Sequence, residues 1–199
     1  MLLTIDSSIG TVVGVTGLHG NCLSSAVVED RRSHAEAIGP LIARALSEAT
    51  ITPADITGVV MGVGPGPFTG LRVGMAAAMA FAKGRAVPLL PVLSHDTAAW
   101  DLNRDTLVVS DARRGELAVT KYQPIAGRSF ASRVGETVLI PRSDIAEGST
   151  EHEGADVVWL ESVDACRLAR AVLWYQHHGV ELVSEQAVYL RAPDVTMPT

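Results

Sequence analysis

Lysine is almost missing from this sequence. Lys83 and Lys121 are the only two among 16 basic residues, and the rest are scattered arginines. Against 22 acidic residues this leaves a formal net charge of -6 at pH 7. A surface that grips RNA by its phosphates normally shows a dense basic face, because counterion release supplies most of that affinity. The chain is therefore not expected to hold RNA by itself, although a partner could supply the charge. Cysteine is confined to Cys22 and Cys166, far apart in sequence and fitting neither a metal-ligand nor a CxxC spacing. The longest uncharged apolar run, residues 73–82, is far too short to span a bilayer. MLLTIDSS at the start has no basic region and no apolar run of signal-peptide length. A soluble, reduced, cytoplasmic protein is the expectation, with no membrane contact.

What is present is the composition of a compact domain: 47% hydrophobic and 19% charged over 199 residues, enough for one large domain or two small ones. LLTID, TVVGVT and NCLSSAVVE read as three strands in succession, with GLHGN as the second turn. SHAEAIGPLIARALSEA reads as a helix. Ser33 is its expected N-cap, Glu36 completes a capping box, and Ile38, Leu41, Ile42, Ala45 and Ala49 form one apolar stripe. Pro40 removes a backbone bond inside it and predicts a bend. ITGVVMGVG is a buried strand, followed by a glycine-rich turn, an apolar helix and the strand VPLLPVL. SHDTAAW reads as a short helix capped by Ser94. In the second half TLVVSDA and ELAVTKY make a hairpin around ARRG, and SRVGETVLI and DVVWL are further strands. DACRLARAVLWYQHH is a helix closed by Gly179. Each half reads as strands, helix, strand, helix, with a boundary expected in DLNRD, so the expected lobes are residues 1–103 and 104–199. The C-terminal segment of the second lobe is open to packing back on the first.

The stretch GVGPGPFTGLRVGMAAAMAFAKG, residues 62–84, raises the question of a phosphate cradle. It lacks the GK-Ser/Thr of a P-loop, and Thr69 stands where a dinucleotide fingerprint needs its third glycine. Pro65 and Pro67 offer no N–H to an anion. Two readings stay open: an anion held at the helix start by Thr69, or a turn whose glycines, Gly64 and Gly66 among them, let strand and helix approach closely. Behind it Gly70, Gly74 and Ala78 form a small-residue stripe flanked by Met75, Met79 and Phe81. A helix apolar all round is buried on every side, within its own domain or against a partner.

Other chemistry is weaker. Consecutive side chains in SHD, 94–96, diverge and cannot form a hydrolase triad. HEGAD, 152–156, lacks the second histidine of a zincin, and Gly154 interrupts any helix there. IDSS at the end of the first strand resembles the phosphate-holding turn of acetate-kinase, sugar-kinase and actin relatives. The adenosine loop of those relatives is rich in paired glycines, and no two glycines are adjacent in this sequence.

IDSS, the SHAEAIGPLI helix, the GVGPGPFTGLRVGMAAAMAFA block, SDARRGE and AVYLRAPDV together resemble the TsaB family, the accessory subunit for making threonylcarbamoyladenosine in tRNA. Pro67 departs from the serine usual there. The resemblance implies an α/β, actin-like, two-lobed fold of the acetate kinase, sugar kinase, Hsp70 and actin type, with mixed sheets and flanking helices, related to the catalytic subunit TsaD. That subunit carries metal ligands as HxxxH on a helix. Here His34 is followed by Ile38, so the resemblance implies a pseudoenzyme with no catalytic, metal or cofactor residues. Its implied partners are a TsaD-type subunit, a TsaE-type ATPase, a second copy of itself, and tRNA only within the complex. The implied docking helices present Ile38, Leu41, Ile42 and Ala45 on one and Gly74, Met75, Ala78 and Met79 on the other. Asp6, Ser7 and Ser8 would be a vestigial phosphate loop, and Gly64, Gly66, Thr69, Gly70, Asp111, Arg113 and Arg114 structural motif residues. The rival reading is an enzyme in its own right, an actin-like small-molecule kinase or an M22-type peptidase homologue.

Overall fold

Two five-stranded mixed sheets organise the chain in a computed structural model that describes residues 1–28 and 34–190. The first is ordered β3-β2-β1-β4-β5, from β1 (Leu2–Asp6), β2 (Thr11–Thr16), β3 (Cys22–Val28), β4 (Gly58–Gly62) and β5 (Leu89–Val92). β1 to β3 form the antiparallel meander expected from three short-linked strands, whereas β4 and β5 add in parallel. β1 and β4 are buried along their whole length, which is why they read as nearly unbroken apolar runs. Helices α1 (His34–Glu48) and α2 (Phe68–Arg85) cover one face of this sheet. The expected N-cap Ser33 lies outside the described residues.

The second sheet, β8-β7-β6-β10-β9, repeats that order: a meander of β6 (Thr106–Asp111), β7 (Glu116–Gln123) and β8 (Ser132–Pro141), then β10 (Ala155–Trp159) parallel to β6. The expected repeat of elements fails at one place. Between β8 and β10 there is a single 3-10 turn, Arg142–Asp144, and the two-residue strand β9 (Glu151–His152), with no α-helix. HEGAD is the β9–β10 hairpin. Helix α3 (Ala165–His178) is capped by Asp164, whose carboxylate accepts from the N–H groups of Cys166 and Arg167, and ends at Gly179 at φ 65°. It packs on the opposite face of the first sheet from α1 and α2, burying Leu168, Ala169 and Val172 beside Trp100, Phe130 and Tyr175.

Two further expectations are corrected. Cys22 and Cys166 are bonded as a disulfide with their Cα atoms 5.5 Å apart, a pairing that spacing in the sequence did not show. Ser94 is no cap: Leu93 precedes the 3-10 turn Ser94–Ala98, and Ser94 is fully buried inside it. Among the described residues no helix is long and apolar enough to cross a membrane.

Candidate functional site

The turn after β1 is where the first polar cluster forms. Ser8 donates to Asp6 Oδ1 through its N–H (2.8 Å) and its hydroxyl (2.6 Å). Ser94 donates its hydroxyl to Asp6 Oδ2 and accepts from the Gly64 N–H at 3.1 Å, and its own N–H donates to the Gly64 carbonyl. Ser7 donates to the Gly70 carbonyl at 2.7 Å and accepts from the Gly74 N–H at 3.0 Å. Asp6, Ser7 and Ser8 are all buried. Their side chains tie the end of β1 to the start of α2 and to the turn after β5.

That geometry gives the small-residue stripe its partner. A Cβ on Gly74 would meet Ser7 Oγ at 2.2 Å, and one on Gly66 would meet Ser8 Cα at 2.7 Å. The stripe thus receives the chain's own β1 turn. Helix α2 begins at Phe68, after Pro67, with Thr69 exposed in its first turn and Gly70 buried. Gly64 sits at φ 97°, a conformation that favours glycine, and joins Pro65 through a cis peptide. Of the eight residues expected on a docking face, Ile38, Leu41, Ala45, Gly74, Met75 and Ala78 are buried within the chain. Ile42 is half-buried and Met79 is 38% exposed. Helix α2 is therefore not buried on every side. Ala76, Met79 and Ala80 face outward, with Val73, Ala77 and Phe81 half-buried around them.

The recognised motifs converge on one cleft of about 470 Å³. Pro65, Gly66, Pro67 and Phe68 form one wall, the tip Asp111–Arg114 the other, and Val188–Leu190 the end. The Val188 N–H donates to the Val63 carbonyl at 2.8 Å, which seats the C-terminal segment there. Tyr189 packs 4.8 Å from the Phe68 ring, and the Arg72 guanidinium lies 3.7 Å over Phe68 while its Nε donates to the Tyr189 hydroxyl. The hairpin tip is backbone-shaped, because Arg113, Arg114 and Gly115 all have positive φ. Asp111 accepts from the Arg113 N–H at 3.1 Å and from Arg142 at 2.8 Å. Partial burial pushes its carboxyl up, but those two donors and the nearby arginine charges outweigh it and hold the pKa below the usual range. The tip's ion pair therefore reaches across to Arg142, which sequence spacing alone did not suggest. Because Asp111 is exposed and Arg142 only half-buried, water screens the pair, and Asp111→Ala should lower stability by less than about 1 kcal/mol. Urea unfolding checks this, and a larger loss would show that the tip is structurally coupled to the cleft wall.

Below the cleft the three residues of SHD diverge, as consecutive side chains must, and each serves a different neighbour. Ser94 serves the Asp6 turn. His95 is sealed between the sheets, its Nδ1 2.7 Å from Thr120 Oγ1 and its Nε2 2.8 Å from Ser110 Oγ. Burial lowers its pKa to about 3, so the ring is neutral, one nitrogen donating and the other accepting. Asp96 accepts from the hydroxyls of Tyr122 (2.6 Å) and Tyr175 (2.9 Å), with Arg133 4.0 Å away. Burial raises the Asp96 pKa against the opposing pull of Arg133 and the two hydroxyls. Burial, reinforced by Asp96, also raises both tyrosines. This cluster joins β6, β7 and α3 to the first sheet. Among the described residues no three of His, Cys, Asp and Glu gather as metal ligands.

Comparison with known proteins bears on the family and the fold. The model of a family described as TsaD, tRNA N6-adenosine threonylcarbamoyltransferase, matches residues 23–146. An uncharacterized protein of Mycobacterium tuberculosis is 42% identical over 123 residues, covering 61% of this chain and 58% of that protein. The tRNA threonylcarbamoyladenosine biosynthesis protein TsaB of Escherichia coli is 33% identical over 115 residues, 55% of this chain and 50% of that one. The chain thus spans between half and three fifths of these curated relatives. The solved structure of YeaZ from Pseudomonas aeruginosa superposes with a TM-score of 0.74 at 20% identity, over 95% of this chain and 99% of that one. The fold is the actin-like α/β fold, two mixed sheets with flanking helices.

Proposed function

The chain belongs to the family described as TsaD, tRNA N6-adenosine threonylcarbamoyltransferase, and has TsaB homologues, and from that premise we propose that it is an accessory subunit for threonylcarbamoylation of adenosine in tRNA. In this reading it binds and supports a TsaD-type catalytic subunit in the cytoplasm, with a TsaE-type ATPase, and meets tRNA only in the assembled complex. The lobes 1–103 and 104–199 are part of the same proposal, as is pairing with a second copy when the catalytic subunit is absent.

The observation that carries the non-catalytic part is the Asp6 turn. In actin-like kinases this turn must face the nucleotide phosphates. Here the Asp6 carboxylate and the Ser7 and Ser8 hydroxyls are buried, Asp6 accepting from Ser8 and Ser94 while Ser7 is bonded to Gly70 and Gly74. An aspartate held by three short donors inside the fold is a brace. The docking part is supported by the outward apolar face of α2 beside the half-buried Ile42 of α1.

The test is reconstitution. Threonylcarbamoylation by a TsaD-type subunit and a TsaE-type ATPase should depend on this chain, and the chain alone should not hydrolyse ATP. Met79→Asp places a charge on the exposed face without touching the core. It should weaken pairing by tenfold or more, about 1.4 kcal/mol, while circular dichroism stays unchanged. Undiminished pairing would remove α2 from the interface, and saturable ATP hydrolysis by the chain alone would favour the kinase reading.

A further inference from the structure

The two cysteines differ in access. Cys22 opens β3, opposite Thr16, and is exposed. Cys166 lies in the first turn of α3 and is buried. Packing around the bond also holds their elements together. Gly14 on β2 leaves no room for a side chain against Ala165, whose Cβ would stand 2.7 Å from a Cβ at that glycine. Ala165, Leu168 and Ala169 are fully buried on the sheet. The start of α3 is thereby seated on the sheet beside the start of β3 by apolar packing as well as by the bond.

We propose that Cys22 is a thiol-modification site for low-molecular-weight disulfides and that Cys166 resolves the adduct, fastening α3 reversibly to β3. In the first step the Cys22 thiolate attacks one sulfur of the external disulfide. A bond forms between Cys22 and that half, the external S–S bond breaks, and the other half leaves as a thiolate that takes up a proton. In the second step the Cys166 thiolate attacks the Cys22 sulfur, and the second half leaves in the same way. Two protein thiols are oxidised to one disulfide, and one external disulfide is reduced to two thiols. Access sets the order, because the exposed residue Cys22 meets the reagent while buried Cys166 already lies within bonding reach. The same exposure lets an excess of external thiol reverse the reaction.

The cross-link has a structural consequence. The residues it joins are 144 apart, and the whole second sheet lies between them. Closing so long a segment limits the unfolded chain strongly, while the native packing of α3 is the same in both states. α3 also carries Tyr175, which holds Asp96. The oxidised protein should therefore resist opening of α3 and, with it, loosening of the cluster under the cleft.

The full chain is reduced, freed of reductant and incubated with oxidised glutathione, then read by intact mass and by iodoacetamide labelling. The wild type should lose both thiols and retain no glutathione. Cys166→Ala, with Cys166→Ser as a second variant, should keep one glutathione on Cys22. Cys22→Ser should acquire an adduct at least about tenfold more slowly. The oxidised wild type should melt about 5 °C or more above the reduced one. Two free thiols in the wild type after incubation, equal melting temperatures, or an adduct on Cys166 in Cys22→Ser at the wild-type rate would each overturn the proposal.

Discussion

Gly62→Ala is expected to lower stability by about 3 kcal/mol or more and the melting temperature by roughly 6–12 °C. Gly62 ends β4 alongside Asp6, and a Cβ there would stand 1.8 Å from Asp6 Oδ2 and 2.6 Å from Cγ. The carboxylate cannot turn aside without losing bonds from Ser8 and Ser94 in a site closed to water. A buried charge-assisted hydrogen bond contributes about 1.5–3 kcal/mol, so displacing Asp6 breaks more than one such contribution. Gly74→Leu should behave alike for the same reason on the other side of the turn, where Ser7 fills the space. Gly74→Leu therefore damages the folded chain itself and does not report on pairing with a partner. The control is Gly84→Ala, exposed in the last turn of α2 with nothing within 4 Å of its Cβ. It should raise stability by about 0.5–1 kcal/mol. Urea denaturation of the three variants measures all of this, and a wild-type midpoint for Gly62→Ala would show that the Asp6 turn is not a rigid brace.

The second large effect is a pH dependence set by His95. Its folded pKa is about 3 against an ordinary value of 6.5, because a charged ring in that closed site has no solvent. Between those values the unfolded chain binds a proton that the native chain refuses. Stability due to the neutral ring is therefore complete above about pH 6.5 and is lost progressively as pH falls toward 3. The slope is about 1.4 kcal/mol for each pH unit. Asp96 acts with the opposite sign: its raised pKa lets the native state take up a proton first on acidification, and its stabilising contribution fades as pH rises. Comparing wild type with His95→Gln removes the shared Asp96 part. From pH 6 to 4.5 the wild type should lose about 2 kcal/mol more than the variant, whose own stability at pH 7 is lower because Ser110 and Thr120 lose a well-placed partner. Parallel pH curves would mean that the ring is reached by water and titrates normally.

Local chemistry was enough to place most elements. β1, β2, β4 and the ARRG hairpin could be read from apolar runs bounded by turn residues, and α3 from the run DACRLARAVLWYQHH closed by Gly179, whereas its Asp164 cap emerged only in the structure. The order GVGPGPFTG, DARR and AVYL also carried the family resemblance, because each motif shapes its own backbone: a glycine at φ 97°, three positive φ values in a row, a tight turn closed by the Tyr189 N–H on the Ala187 carbonyl. These are properties of neighbours in the chain, and neighbours are what a sequence displays.

Tertiary structure decided which side chains those motifs meet. The stripe Gly70, Gly74 and Ala78 announces a close approach, yet only the fold shows that Ser7, more than sixty residues earlier, is what approaches. SHD announces three polar side chains, yet their partners Asp6, Ser110, Thr120, Tyr122 and Tyr175 come from four different strands or helices and their ends. Cys22 and Cys166 carry no local signal for each other, since nothing in periodicity or spacing encodes that α3 returns to the far face of the first sheet. The sequence by itself determined the elements and the family; the return of α3 and the burial of Asp6, His95 and Asp96 arise only when the two sheets close on each other and exclude water from the groups between them.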